Sequence, residues 1–228
     1  MNSMKKIIRY FPFFEYHKDS FIPAKKTIPQ WYKDMPTTKE YKDNFDYSMA
    51  KKCSPFLDAM TSGYSITLPC DVWFDFSDGF YNVKWKDNDT KIIGVRDKND
   101  GLLIPEEYSE ERFTWNFPIT LKIPIGYSAL ITHPLNQYDL PFLTLSGVID
   151  GGFALYANGN VPFMLKKNFS GIIKQGTPIM QVIPFKTQDW HSVVDEKLKK
   201  EGFLNQKRSI AVFAGWYKKE YWKRKNYL

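Results

Sequence analysis

From Ile123 to Phe185 the chain is a succession of short apolar, β-branched and aromatic runs, each broken at Gly, Pro or Asn. Punctuation at that interval leaves no room for long helices, and runs of this length and composition read as strands. The same pattern extends upstream. Tyr64–Leu68, Asp71–Phe76 and Phe80–Lys86 alternate large apolar with polar residues, and Ser77-Asp78-Gly79 supplies hairpin chemistry between the last two. Further runs follow at Lys91–Val95, Phe113–Ile123, Tyr127–Thr132, Phe142–Ile149, Phe153–Tyr156, Pro162–Leu165, Ser170–Ile173 and Ile179–Phe185. About ten short strands, many at 8–12-residue spacing, predict a mostly β sandwich, jelly roll or barrel.

The flanks read differently. Met4–Phe11 is a further strand candidate. Pro23, Pro29 and Pro36 then rule out a long helix, so the segment up to Tyr47 is expected to wrap the body through Phe21, Trp31, Tyr32 and Met35, or to be a partly ordered extension. Ser54-Pro55 predicts a short helix start with Ser54 as N-cap, and Gly63 its end. Asp97–Tyr108, with its Asn99-Asp100-Gly101 step, is expected to be a surface loop. Gln188–Lys200 carries Trp190, Val193, Val194 and Leu198 on one helical stripe, with Gly202 as the stop. The chain thus divides into an arm with a short helix (1–60), a β core (61–186) and a C-terminal helix with a basic aromatic tail (187–228).

Charge follows that division. The whole chain carries +7, but Lys197–Leu228 alone holds ten basic and two acidic residues, a net of +8, leaving −1 for the rest. A nucleic-acid or acidic partner is therefore expected at the tail. There Lys218, Lys219, Lys223, Arg224 and Lys225 interleave with Trp216, Tyr217, Tyr221 and Trp222, the ingredients of single-strand binding. On a helix, however, Phe213, Trp216, Tyr217 and Tyr221 share one face, which also suits docking on the chain's own body. Aromatics make up 17% of residues, a density that serves sheet packing or a binding surface. Two cysteines without a CxxC pair and three scattered histidines give neither a disulfide framework nor metal-ligand spacing. No signal-like or membrane-length apolar run occurs, so a cytoplasmic protein with no membrane partner is expected.

Within the core, Gly147 and the Gly151-Gly152 pair allow backbone to approach a ligand or another chain closely. Asp150 beside them is a turn residue, a ligand contact or a general base that orients water. Phe153 stacks on a base or joins the core. Gln181 lies in an otherwise apolar strand, so its amide needs a partner, either a nucleotide or the chain's own backbone.

Four segments of this region, in order, resemble the dUTPase and dCTP deaminase superfamily. They are Ser62-Gly63-Tyr64-Ser65-Ile66, Ile123-Pro124-Ile125-Gly126-Tyr127-Ser128-Ala129, Gly147-Val148-Ile149-Asp150-Gly151-Gly152-Phe153 and Gly176-Thr177-Pro178-Ile179-Met180-Gln181-Val182. The resemblance implies a jelly-roll or β-clip core, a nucleotide near Asp150 and Phe153, and a homo-oligomer, by analogy a trimer. Two positions depart from the family: Ser65 replaces an acid, and His133-Pro134-Leu135-Asn136 stands where the family has an Arg-Ser-Gly phosphate motif. The Arg fork that clamps phosphate is thereby lost. The expectation is a divergent, non-catalytic nucleotide-binding protein without a cofactor. A virion or assembly protein using the fold for oligomeric contacts is one alternative. A nucleotide pyrophosphatase, which would need magnesium, is the other. Over nearly its full length the chain also resembles an uncharacterised family of tailed phages and bacteria, through the IPxWxKxMP, KKCxPFxDAMTSGY and GTPIxQVIPF patterns. That likeness implies a phage or bacterial origin, in the host cytoplasm or the virion.

Overall fold

The computed structural model describes residues 6–40, 46–86, 91–211 and 216–228. The arm begins with β1 (Arg9–Pro12), a 3-10 turn, β2 (Phe21–Pro23) and a second 3-10 turn. Next come α1 (Gln30–Asp34), the small ribbon β3 (Thr38–Glu40) and β4 (Asp46–Ser48), and α2 (Ser54–Thr61). The core adds β5 (Tyr64–Thr67), β6 (Val72–Ser77), β7 (Phe80–Trp85), β8 (Ile93–Val95), β9 (Phe113–Lys122) and β10 (Tyr127–Thr132). It is completed by β11 (Phe142–Thr144), β12 (Gly147–Asp150), β13 (Ala154–Leu165), β14 (Gly171–Ile173) and β15 (Pro178–Lys186). The C-terminal helices are α3 (Leu198–Ala211) and α4 (Trp216–Glu220).

Two five-stranded antiparallel sheets share one core. The first runs β1-β9-β13-β11 with β8 also on β9, and the second runs β12-β10-β15-β5-β2. A third sheet, β14-β6-β7, flanks them. The fold class is the mostly β one expected from the strand pattern, with an N-terminal arm and a C-terminal helical segment. In β9 the alternation Phe113, Trp115, Phe117, Ile119, Leu121 sends five large side chains inward, each at most 1% exposed. Trp115 stacks on Phe163 of β13 with ring centroids 3.8 Å apart, and its indole N–H donates to Thr144 Oγ1 at 2.9 Å. A buried ring pair of this kind adds about 0.5–1.5 kcal/mol beyond its area.

Local sequence chemistry explains most boundaries. Asp78 (φ 52°) and Gly79 (φ 82°) both take positive φ, which makes the two-residue turn that matches strand twist. Gly63 ends α2 at φ 72°, and a Cβ there would lie 2.0 Å from the Val182 carbonyl oxygen. Five expectations change. The run expected at Phe142–Ile149 is two strands, β11 and β12, in different sheets. The first strand is Arg9–Pro12 rather than Met4–Phe11. Cys53, with no side-chain cap bond, precedes α2, and Ser54 is its first residue. The runs expected at Phe153–Tyr156 and Pro162–Leu165 are joined in one strand that begins at Ala154, and register shifts between Tyr156, Asn158 and Val161 carry it past the break between them. The helix expected at Gln188–Lys200 is instead Leu198–Ala211, with Gly202 inside it. Every residue from Phe185 to Leu204 is exposed, including Trp190 at 82% and Val194 at 97%. A stripe without a surface to pack on gives a helix little stabilisation. Phe213 and the turn at Asp87–Asp89 lie outside the described residues.

Candidate functional site

The second sheet ends, on its core side, in a row of Tyr64, Pro184 and Tyr127. Tyr64 pairs with Val182, Ala129 with Pro184 and Tyr127 with Lys186, so the row belongs to three adjacent strands. The residues before β1 and the turn after β9 close one side of this mouth, and the end of the C-terminal tail closes another. Together they bound a cavity of about 920 Å³ lined by Lys6, Ile8, Tyr64, Tyr127, Arg224 and Tyr227 among others. A second hollow of about 370 Å³ shares Lys6, Ile7 and Pro124 with it and adds Arg9, Lys122 and Gly152. Four cations thus line the joined groove, and no Asp or Glu side chain lines either part. The Lys6 ammonium lies 5.6 Å from the centre of the Tyr127 ring. Burial, and secondarily the neighbouring Tyr227, push the Tyr64 phenol up, so it is a neutral donor near pH 7. It donates to the Leu228 carbonyl at 3.3 Å.

The tail is held against the body at a second point. Asp58 Oδ2, on α2, accepts from the Trp222 indole N–H at 2.9 Å and from the Lys225 ammonium. Tyr227 meets Tyr64 edge-on at 5.9 Å. The tail therefore docks on its own domain, while Lys218, Lys219, Lys223, Arg224 and Lys225 stay exposed and Trp222 is half-buried.

Gly151 and Gly152 bring backbone close to the chain's own β9–β10 turn. A Cβ on Gly151 would lie 2.0 Å from the Pro124 carbonyl oxygen, and Gly152 has φ 89°. Their N–H groups donate to the Tyr127 and Ile123 carbonyls at 2.8 and 2.9 Å. This pair seats the turn that forms the groove floor. Asp150 is exposed and accepts from Ser128 Oγ at 2.8 Å, and Ser128 Oγ lies 2.7 Å from Thr187 Oγ1. Because Ser128 follows Tyr127 in a strand, this polar row lies on the opposite face of the sheet from the cavity. Phe153 is 66% exposed, outside the core.

Gln181 is 1% exposed and its amide is engaged by backbone. Nε2 donates to the Ala59 and Ser62 carbonyls at 2.8 and 2.6 Å, and Oε1 accepts from the Leu135 N–H at 2.9 Å. Gly147 lies apart, on a crevice of about 360 Å³ between the sheets with Arg96 and Asp100 at its rim. In place of a phosphate motif, His133 Nδ1 accepts from the Thr144 N–H at 3.3 Å and Nε2 faces the Gln137 carbonyl at 3.0 Å. Burial holds this imidazole below its ordinary pKa, against a smaller opposing effect of the Gln137 carbonyl. The ring is a neutral brace. No three of His, Cys, Asp and Glu among the described residues come together to hold a metal ion. No helix among the described residues is long and apolar enough to cross a membrane.

Lys6, Arg9 and Lys122 had no signal in the sequence. Lys6 and Arg9 share one segment and Lys122 lies in another, and only the pairing of β1 with β9, Arg9 opposite Lys122, brings them together.

No protein-family model matches the chain and no curated protein is similar to it, so the resemblance to the phage and bacterial family rests on the motifs alone. Among solved structures, the EIAV dUTPase is similar at a TM-score of 0.33 and 12% identity, covering 83% of this chain and 98% of that one. A mutant of the Staphylococcus bacteriophage 80alpha dUTPase is similar at a TM-score of 0.34 and 11% identity, covering 84% of this chain and 97% of that one.

Proposed function

We propose that the protein binds a nucleotide at the mouth of its β sandwich. The phosphates lie against Lys6, Arg9, Lys122 and Arg224, and the base packs on the tyrosines. The carrying observation is four cations and three tyrosines around one groove that no Asp or Glu side chain lines. Phosphate needs positive charge to replace its water, and a base needs a flat apolar partner. The core 61–186 supplies the floor, and the arm and tail supply the other walls. Asp150, on the opposite sheet face, is not placed to activate water in this groove, which supports binding over hydrolysis.

Thermal melting against a panel of nucleoside phosphates tests this. A ligand at a hundredfold its Kd stabilises by about 2.7 kcal/mol, which is about 5–10 °C for a chain of this size. Lys6→Ala with Arg224→Ala removes the shift, while Asp150→Ala keeps it. A flat panel at millimolar ligand overturns the reading. Magnesium-dependent turnover lost in Asp150→Asn would replace it with a hydrolase.

Self-association is a second reading. Trp190, Val193 and Val194 are 82, 83 and 97% exposed on a segment with no described partner in the chain. Apolar exposure of that extent marks an interface, here with further copies of the chain. The native mass in solution tests it: a monomer at micromolar concentration overturns it.

A further inference from the structure

The tail does more than close the mouth groove: it joins that groove to another basic hollow. Lys218 and Trp222 line a cavity of about 320 Å³ together with Lys51, Lys52, Ser54 and Thr37, beside the start of α2. Two residues past Trp222, Arg224 lines the mouth cavity. One short stretch of tail therefore carries cations into two hollows. The first holds three, Lys51, Lys52 and Lys218, and the mouth groove holds four, which makes seven. No Asp or Glu side chain lines either hollow. The Asp58 carboxylate beside the tail is already matched by Lys225 and the Trp222 indole N–H. Glu220 is the one acid on the tail between Lys218 and Arg224. Aromatic rings stand at both ends: Trp222 in the first hollow, and Tyr64, Tyr127 and Tyr227 in the second.

A mononucleotide fills one hollow and leaves the other's charges without an anionic partner among the described residues, Lys51 meeting only the Lys33 carbonyl and the Tyr32 ring. A ligand that satisfies both is a chain of phosphates carrying flat, apolar groups that unstack into concavities. We infer that the tail and the two hollows beside it form a binding track for single-stranded nucleic acid. The inference rests on the reading of the mouth groove as a phosphate and base site and extends it to a polymer. Paired bases hide their faces, so a duplex reaches the cations but not the rings. An acidic protein segment offers charge without bases to stack.

The test is fluorescence anisotropy of a labelled 20-nucleotide oligo(dT) with the full-length protein across a salt series. For a single strand the affinity falls with salt at a log–log slope of about −0.7 per phosphate contact, so seven contacts give a slope near −5. The paired variant Lys51→Ala, Lys52→Ala lies outside the mouth groove. It is expected to flatten the slope by about 1.4 and leave mononucleotide melting shifts unchanged. Oligo(rU) is expected to bind comparably.

Three results overturn the inference: a 20-mer bound no more tightly than a mononucleotide, an unchanged slope in the Lys51/Lys52 variant, or equal binding of a duplex or of polyglutamate. The first, with mononucleotide shifts intact, leaves the nucleotide reading standing alone. A 20-mer that binds with the expected slope while mononucleotides give no shift supports the track and removes the mononucleotide as the ligand.

Discussion

Gln181 donates from Nε2 to the carbonyl oxygen of Ser62 at 2.6 Å, and this bond ties the exit of α2 to the middle of β15. The same amide also holds the Ala59 carbonyl and the Leu135 N–H, so one side chain fastens a helix and a loop to the sheet. Gln181→Leu keeps the bulk and leaves three backbone groups without partners. At about 1–3 kcal/mol for a buried orphaned group, a loss near 3 kcal/mol is expected even if one group reaches water. Urea denaturation is expected to show a lower midpoint with an unchanged m-value. Nucleotide affinity at the mouth groove is expected to stay the same, because Gln181 does not line it.

Gly151→Ala places a methyl 2.0 Å from the Pro124 carbonyl oxygen. Backbone cannot yield there without breaking the Gly151 and Gly152 bonds to the β9–β10 turn. A loss of about 2–4 kcal/mol is expected, at or above the usual cost of overpacking, since the clash is with backbone. Mononucleotide shifts should weaken alongside it. Gly147→Ala meets nothing within 4 Å and is expected to melt like the parent, so the two variants compared by calorimetry separate a steric role from a general sensitivity of β12.

Asp58→Ala removes the acceptor shared by Trp222 and Lys225. A surface ion pair contributes about 0–1 kcal/mol, so the melting temperature should change little. The tail should nevertheless open more often, and trypsin should cut after Lys218, Lys219 and Lys223 markedly faster. Cleavage at the parental rate would mean that Tyr64 and Tyr227 hold the tail without Asp58.

His133 sets a pH dependence. Burial lowers its folded pKa below that of the unfolded chain. Above about pH 6.5 the ring is neutral in both states, and the contribution is fully present. As pH falls below that value, the unfolded chain takes up the proton first, so stability declines until the folded pKa is passed. The expected readout is a denaturation midpoint that falls between pH 7.5 and pH 5. His133→Gln should start lower, by about 1–2 kcal/mol for its lost bonds, and lose part of that slope.

The fold was legible wherever a local rule decides it. Asp78-Gly79 has the two residues that tolerate positive φ, and β9 alternates large apolar side chains without interruption, so turn and strand follow from neighbours alone. The stripe at Trp190, Val193 and Val194 obeys a local rule too, but a helix there depends on a surface to cover it, and the described residues provide none. The binding groove was illegible for a related reason. Lys6, Arg9 and Lys122 are unremarkable in their own segments, Arg224 stands out only as one charge of a basic tail, and only strand pairing and tail docking gather them. Gln181 was visible as a polar residue in an apolar strand. Its partners were not, because Ala59 and Ser62 lie about 120 positions away.

The mouth groove is built from residues near both ends of the chain, with Lys6 and Arg224 facing one cavity. Contacts of such sequence separation form late, since the loop between them must close first. Refolding should therefore run in two stages. The Trp115–Phe163 stack regains its fluorescence signature with the sandwich, and ligand binding returns afterwards, at the rate of tail docking. A chain cut before residue 216 should retain the first event and lack the second.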